Sequence, residues 1–510
     1  MLSRIHSSAV VGIDAYPVEV EVDIANGLPA FNIVGLPDTA CRESADRVRA
    51  ALKNSGFSFP SSKITVNLAP ASLKKEGAAF DLAIAVGILV ANESIDAGCV
   101  EGRVFCGELS LDGKVRGIPG ILPRASALFD TGAKGPFILP SVNVKEALCV
   151  EGLELWPVWT LAETVRFLKG EKKPPAVRGA DRPKDKPVPA VCDLDYADIK
   201  GQAHAKRALE IAAAGGHNVL MIGPPGAGKT MLAKRFPGIL TPLNLEQAIE
   251  TTKIHSVAGL LNGKGPLVSL RPFRDPHHTI SHVAMVGGGA HPRPGEVSLA
   301  HNGVLFLDEM TEFNRNVLEV LRQPIEEGRV TISRAASTIS FPARFMLLAA
   351  MNPCPCGYYT DPKKECQCSV MQIKTYHSKI SGPLLDRIDI QLDVPRLKVE
   401  EITSKSSAES SEAIRKRVDG ARRIQERRYQ DEKIRSNTEL GPALLARYCP
   451  MSGEAERLLK LAIQELGFSA RGYHKTQKVA RTIADLDGVQ RIEANHVSEA
   501  VHYRLLDHKF

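Results

Sequence analysis

The stretch NVLMIGPPGAGKT, residues 218–230, constrains this chain more than any other. Residues 218–222 read as a buried strand, and TMLAKRF, beginning at Thr230, reads as a helix. The turn between them, Gly223, Pro224, Pro225, Gly226, Ala227, Gly228, Lys229 and Thr230, fits the phosphate-loop pattern G-x-x-x-x-G-K-[ST] in its required strand–loop–helix setting. Small residues let backbone N–H groups wrap phosphate oxygens, and the following helix start adds positive potential. Lys229 is expected to reach the β- and γ-phosphates of ATP, and Thr230 to bind Mg²⁺. A loop of this kind demands an α/β domain built on a parallel sheet.

Three further apolar runs supply partners for it. GVLFLDEM (303–310) ends in two carboxylates, where a parallel strand meets its ligand. Asp308 is expected to hold the Mg²⁺ and Glu309 to polarise the attacking water. RFMLLAAMNP (344–353) ends in Asn352, placed to orient that water; a turn-forming Asn before Pro353 is the plain alternative. SGPLLDRIDI (381–390) carries Arg387, which could neutralise transition-state charge across a subunit boundary or merely pair with Asp386 or Asp389.

At 510 residues, 44% apolar and 24% charged, the chain is an ordinary globular composition long enough for about three domains. The clearest boundary is EKKPPAVRGADRPKDKPVPA (171–190), rich in proline and charge and nearly devoid of large apolar side chains. The expected division is 1–170, a linker 171–192, an ATPase core 193–400 and a helical region 401–510. In the first part YPVEVEVDI (16–24) and KITVNLAP (63–70) read as strands, and 38–56 as one helix capped by Asp38 and ended by Gly56. FDLAIAVGILVA (80–91) is short of the roughly 20 residues a membrane span needs, and reads as a buried helix. The first residues lack the apolar core of a signal peptide, so a cytoplasmic protein with no membrane partner is expected. A net charge of +7 is compatible with a nucleic-acid partner but does not require one.

Together these motifs resemble the AAA+ ATPases of the magnesium-chelatase-like branch. The blocks 195–230, RPFRDPHHTISHVAMVGGG (271–289), MNPCPCGYY (351–359) and SARGYHKTQKVARTIADLDG (469–488) resemble the YifB/ComM family over essentially the whole chain. That resemblance implies a ring, probably a homo-hexamer, and ATP-driven branch migration of DNA that supports integration of incoming DNA during natural transformation. It implies a helical lid in which Arg471 matches the second sensor arginine, with Arg481 as the lesser candidate, and it places Ile199 and Gln202 near adenine. The fold class expected is therefore α/β multidomain: an S5-like α+β N-terminal domain, an AAA+ phosphate-loop core with a parallel sheet, and a C-terminal helical lid.

KEGAAFDLAIAVGIL (75–89) with VFCGELSLDGKVRGIPGIL (104–122) resembles the Lon-type proteolytic domain of ribosomal S5-like fold. Ala79 stands where the nucleophilic serine belongs, and Ser72 is offset from that position, so the domain is expected to be non-proteolytic. The serine-free form also occurs in the RadA branch-migration protein, an analogy that favours a DNA role.

Of ten cysteines, Cys41, Cys99, Cys106, Cys149, Cys192 and Cys449 are scattered. Cys354, Cys356, Cys366 and Cys368 fall in two close pairs and could hold structural Zn²⁺; free thiols or a redox switch are the alternatives. His255, His277, His278, His282 and His301 lack a regular ligand spacing. Sequence-independent contact with single-stranded or branched DNA is expected from two loops. One is a hairpin at 326–345 with Arg334 near its tip; the other is the insert 271–296 with Arg271, Arg274 and Arg293. The basic stretch 413–430 is expected to be a solvated lid helix. A protein-remodelling AAA+ ATPase, of chaperone or chelatase-motor type, is the alternative function.

Overall fold

The computed structural model describes residues 1–132, 135–178, 194–261, 267–289, 292–334, 337–359, 361, 363–397, 401, 408–432 and 434–504. By compactness these fall into two units, 1–188 with 245–268, and 189–244 with 269–510.

The first unit is an α+β layer structure on a mixed sheet of eight strands. The strands Leu2–Val11 and Asp14–Ala25 form a long antiparallel hairpin, pairing Leu2 with Asp23 through Val11 with Asp14. Lys63–Ala69 and Ala30–Val34 extend one side, while Val104–Phe105, Phe137–Pro140, Glu154–Val158 and Val177–Arg178 extend the other. The last of these lies inside the Pro-rich stretch, whose first residues thus begin as an edge strand; 179–193 lie outside the described residues. Period-two alternation sends Val18, Val20 and Val22 to the core face, where they meet the helix Asp81–Ala91. Every residue of that helix is buried, as the apolar run 80–91 required. Gly87 lets it approach closely: a Cβ there would lie 2.7 Å from Val22 Cγ2. The segment 38–56 forms two helices, Thr39–Arg42 and Ser44–Asn54, with Asp38 capping the first by accepting from the Cys41 N–H at 2.8 Å.

Leu245–Val257 also groups with this unit, although the sequence places it between the phosphate loop and Asp308. It packs beside the helix Ile121–Asp130, with the Ser256 carbonyl accepting from the Gly120 N–H and the Ser256 hydroxyl donating to Glu146.

The second unit holds a five-stranded, wholly parallel sheet ordered Phe273–Arg274, Val304–Leu307, Met346–Met351, Val219–Ile222, Ile390–Asp393. Its three central strands, Val304–Leu307, Met346–Met351 and Val219–Ile222, are apolar throughout because both faces are covered. Val219 and Met221 face a core shared with the helix Ala203–Gly215 and the C-terminal helices. Leu220 and Ile222 face a second core with Val317, Leu318 and Leu384. The C-terminal region is helical as expected: Ser411–Arg428, Pro442–Tyr448, Gly453–Leu466, Ala470–Leu486 and Ala494–His502.

The lid is fastened to the sheet by a buried ion pair. Lys475, on the helix Ala470–Leu486, lies 2.8 Å from Asp389, the residue preceding the last strand. Asp389 also accepts from the Asn218 N–H at 3.0 Å, and His217 stands 3.7 Å away while its other ring nitrogen meets Thr482 at 2.8 Å. Burial alone would raise the Asp389 carboxyl, but Lys475 and His217 hold it well below the usual carboxylate range. Removing one partner of such a pair strands the other charge in the core. Lys475→Met is therefore expected to destabilise the second unit by about 3–5 kcal/mol, read by urea denaturation. A loss below about 1 kcal/mol would show that the carboxylate is satisfied without the lysine.

Candidate nucleotide site

Parallel register brings the sequence motifs to one edge of the sheet. Ile222 pairs with Met351, and Leu307 with Ala349, so Gly223, Asn352 and Asp308 all emerge at the C-terminal ends of neighbouring strands. Gly226 and Gly228 take positive φ (+78° and +94°), a conformation that side-chain-bearing residues resist, and Gly228 opens directly into the helix Lys229–Arg235.

Lys229 is buried and folds back over the loop. Its ammonium donates to the carbonyls of Gly223 and Pro224 and to Asn352 Oδ1 at 3.2 Å. Those oxygens occupy the donors that phosphate oxygens would take, so the residues present fit a bound triphosphate. Desolvation pushes the Lys229 ammonium down to about 8, with Asp308 and Glu309 opposing the shift. The Thr230 hydroxyl donates to Asp308 Oδ2 at 2.7 Å. A hydroxyl and a carboxylate so placed form the oxygen pair that Mg²⁺ takes beside a phosphate loop.

Glu309 is exposed and sits in left-handed backbone (φ +50°, ψ +48°), unusual for a residue with a side chain. Such strain collects where a side chain must be aimed, and no sequence pattern announces it. Two residues on, Thr311 donates to the Tyr376 hydroxyl at 2.6 Å, and the backbone of Asn352 bonds the same hydroxyl. Tyr376 thus ties the Asp308–Glu309 turn to Asn352. Sequence reasoning missed it, because a tyrosine on the distant helix Val370–His377 carries no motif.

Ile199 is buried, and its carbonyl accepts from Lys206. Gln202 donates to the carbonyls of Ala227 at 3.1 Å and Pro395 at 2.8 Å, linking the loop to the end of the last strand.

Arg387 and Arg471 are placed elsewhere. Arg387 precedes the strand Ile390–Asp393, whose first residue pairs with Val219, so it lies at the N-terminal edge of the sheet, opposite the phosphate loop. It does not pair with Asp386 or Asp389 but with Glu326, at 2.6 Å. Arg471 approaches the other oxygen of the same carboxylate at 3.8 Å. The structure therefore brings these two arginines together and away from their own chain's Lys229. Arg481, fully buried, donates to Asp485 and to the carbonyls of Val489 and Gln490, a joint within the lid.

Two of the arginines expected to meet DNA are spent internally. Arg271 donates to the carbonyls of Thr241 and Asn302, and Arg274 forms a bidentate pair with Glu296. Arg293 is exposed. The expected hairpin is present, Arg329–Arg334 against Ser337–Pro342, with its tip and the Arg334 side chain outside the described residues. Of the basic helix Ser411–Arg428, Arg417 pairs with Glu210 and Glu409, Arg422 with the Ala213 carbonyl and Arg428 with Asp485. In the first unit Ala79 is buried, Ser72 is exposed and the Lys75 ammonium donates to the Pro70 carbonyl. Among the described residues, one group of His, Cys, Asp and Glu side chains converges as metal ligands do: Cys354, Cys356, Cys366 and Cys368. The histidines disperse, with His301 buried against the Arg344 N–H and His277 packed on His278.

Known families and proteins match this chain along most of its length. The family described as magnesium chelatase, subunit ChlI, matches residues 195–402. Subunit ChlI of Mg-chelatase matches 20–143, and the C-terminal part of that subunit matches 408–504. The competence protein ComM of Haemophilus influenzae is 44% identical over 507 residues, 99% of this chain and 98% of that protein. The uncharacterized protein YifB of Escherichia coli is 43% identical over 513 residues, 99% and 97% respectively. The magnesium-chelatase subunit ChlI of Euglena gracilis is 23% identical over 157 residues, 26% of this chain.

The position of Lys229 yields a pH dependence. Phosphate binding needs the ammonium, whose proton leaves the nucleotide-free protein near pH 8. Affinity for a non-hydrolysable ATP analogue is therefore expected to be level below about pH 8 and to fall by up to about tenfold per unit above it, until the bound-state pKa is reached. Titration calorimetry in buffers of different ionisation enthalpy would show proton uptake in that window. Level affinity up to about pH 10 would mean the lysine keeps its ordinary pKa.

Proposed function

The chain belongs to the ComM and YifB family of magnesium-chelatase-like AAA+ proteins, and from that membership we propose that it is an ATP-driven, ring-forming motor acting on branched or joint DNA molecules. The observation that carries the reading is the convergence of Lys229, Thr230, Asp308, Glu309 and Asn352 on one sheet edge. In this proposal the loop 223–230 holds the phosphates, Thr230 and Asp308 hold Mg²⁺, Glu309 polarises the attacking water and Asn352 orients it. Mg²⁺ neutralises charge developing on the transferred phosphoryl group.

Ring formation follows from the second edge. Arg387 and Arg471 sit opposite their own phosphate loop, so they would act on the nucleotide of a neighbouring subunit. A homo-hexamer is the assembly we propose. A setting in competence is supported by the relative named as a competence protein, which matches this chain over 99% of its length; DNA as the substrate and branch migration as the activity are the finer part of the proposal. Backbone contacts without sequence preference fit the absence of a base-reading motif in the sequence. The exposed Arg293 and the hairpin 329–342 are the proposed contact elements. A protein-remodelling motor is the second reading, favoured by the chelatase descriptions of the matched families. Against it, the named chelatase subunit aligns with only 26% of the chain.

ATP hydrolysis by the purified protein, at fixed moderate salt, separates the two. Single-stranded, duplex or four-way-junction DNA is expected to stimulate turnover, and Glu309→Gln is expected to abolish it while nucleotide still binds. Level hydrolysis with and without DNA, in protein shown to assemble, would move the reading to protein remodelling. Arg387→Ala is expected to lose turnover alone and to recover part of it when mixed with Lys229→Ala subunits. Assembled mixed rings that stay inactive would refute action in trans.

A further inference from the structure

The loop between the strand Met346–Met351 and the helix Val370–His377 is long, and its described residues lie in neither helix nor strand. Irregular segments longer than about 12–15 residues need something to hold them. This one has little apolar material to do so: from Pro355 to Ser369 most described residues are exposed or half-buried, and the next large side chains, Tyr358 and Tyr359, are not buried. What converges instead is sulfur. The Sγ atoms of Cys354, Cys356, Cys366 and Cys368 all lie within 4.8 Å of one another. Cys354 and Cys356 are 3.3 Å apart, Cys354 and Cys366 3.6 Å, Cys356 and Cys366 3.5 Å.

These separations exclude disulfides, whose sulfurs lie about 2.05 Å apart. They match one tetrahedral ion: Zn–S bonds of about 2.3 Å place the corners of an S₄ tetrahedron about 3.8 Å from each other. A cluster of several irons would spread the four sulfurs farther. Backbone amides already point at the sulfurs: the Cys356 N–H donates to Cys368 Sγ at 3.4 Å and the Tyr359 N–H to Cys354 Sγ at 3.3 Å. Such bonds stabilise thiolates and fix ligand orientation. Four protein ligands leave no open position for a substrate, which makes the site structural.

The loop touches the nucleotide site on two sides. Cys354 follows Asn352 by two residues, and Asn352 accepts from Lys229. Gly357, at φ +82°, lies so close to the phosphate loop that a Cβ would come within 2.6 Å of Pro225 Cδ. His377, on the far side, bonds the Pro353 carbonyl at 3.0 Å. We propose that the four cysteines bind one structural Zn²⁺ and that this metal-held knuckle braces the phosphate loop through Gly357 and Pro225. The metal site stands apart from the DNA reading; its effect on nucleotide rests on the assignment of loop 223–230. Binding takes the four side chains as thiolates and releases their protons to solvent, with no change of oxidation state.

The test uses the full chain, purified in reducing buffer free of chelator, and needs no DNA. Elemental analysis is expected to find about one zinc per chain. Cys366→Ser/Cys368→Ser should lose it, and Cys449→Ser, outside the cluster, should keep it. Stripped wild-type protein should take up Co²⁺ with the intense visible bands of tetrahedral thiolate coordination. Stripping should weaken MgATP binding by about tenfold, restored by adding Zn²⁺. Gly357→Ala should keep the zinc and still weaken MgATP binding. A wild-type protein that holds no metal and takes up neither Zn²⁺ nor Co²⁺ overturns the site, as does iron found in its place. Full zinc with MgATP affinity unmoved by stripping and by Gly357→Ala overturns the brace.

Discussion

The ion pair between Lys475 and Asp389 decides where the lid sits, and much of the second unit follows from it. A buried carboxylate accepts few alternatives: here it takes one lysine from the lid helix, and a backbone amide and a nearby histidine from the adjoining residues Asn218 and His217 before the strand Val219–Ile222. With Lys475 fixed at the N-terminal edge of the sheet, Arg471, one turn earlier on the same helix, is carried to Glu326 and hence to Arg387. The lid therefore presents its arginine at the edge where the core presents its own. The phosphate loop opens at the other edge because parallel strands all end there. In the ring we propose, the phosphate loop on one edge would face the arginines on the other edge of the next copy, and repeated head-to-tail contact of that kind closes a ring or runs to a filament.

The geometry of the candidate site was largely legible in the sequence, and the reason is local. A strand, a glycine loop and a helix occupy thirteen consecutive residues, so NVLMIGPPGAGKT specifies its own geometry. The strands ending in Asp308 and Asn352 were equally readable, because four or more apolar residues in a row announce a doubly covered strand. The strain at Glu309 and the bridging role of Tyr376 were not, since both depend on where the chain returns after tens of residues. The same limit explains the arginines. Arg271, Arg274 and Arg422 look like free cations in a linear reading, yet their acceptors are the carbonyls of Thr241, Asn302 and Ala213 and the carboxylate of Glu296. Nor could pattern alone assign Leu245–Val257 to the N-terminal unit, since its partners near Ile121 and Glu146 are over 100 positions away.

The first unit shows a different economy of charge. Two residues after the buried Ala79, Asp81 is buried completely. Desolvation raises its carboxyl, and Arg47 and Ser44 counter by hydrogen bonding, with Arg47 Nε at 2.8 Å and the Leu109 N–H at 3.2 Å. The groups around Asp81 thus join two helices and the short strand Glu108–Leu109. That is a fastening role, in which a buried charge serves packing.

Nucleotide-dependent motion needs a route from phosphate to the rest of the core, and this fold supplies a short one. Lys229 touches Asn352, Asn352 touches Tyr376, and Tyr376 touches Thr311 just beyond Glu309. In the proposed motor, phosphate oxygens would replace Asn352 as acceptors for Lys229 and release its amide, while its backbone would stay tied to the tyrosine. The adjoining cysteine loop limits how far that segment can move, because Gly357 already lies against Pro225 with no room for another carbon. The helix Val370–His377 leads through Ser381 and Pro383 to Arg387, so in the proposed motor the segment beside the phosphate loop at one edge of the sheet is continuous with the segment that carries the cation at the other.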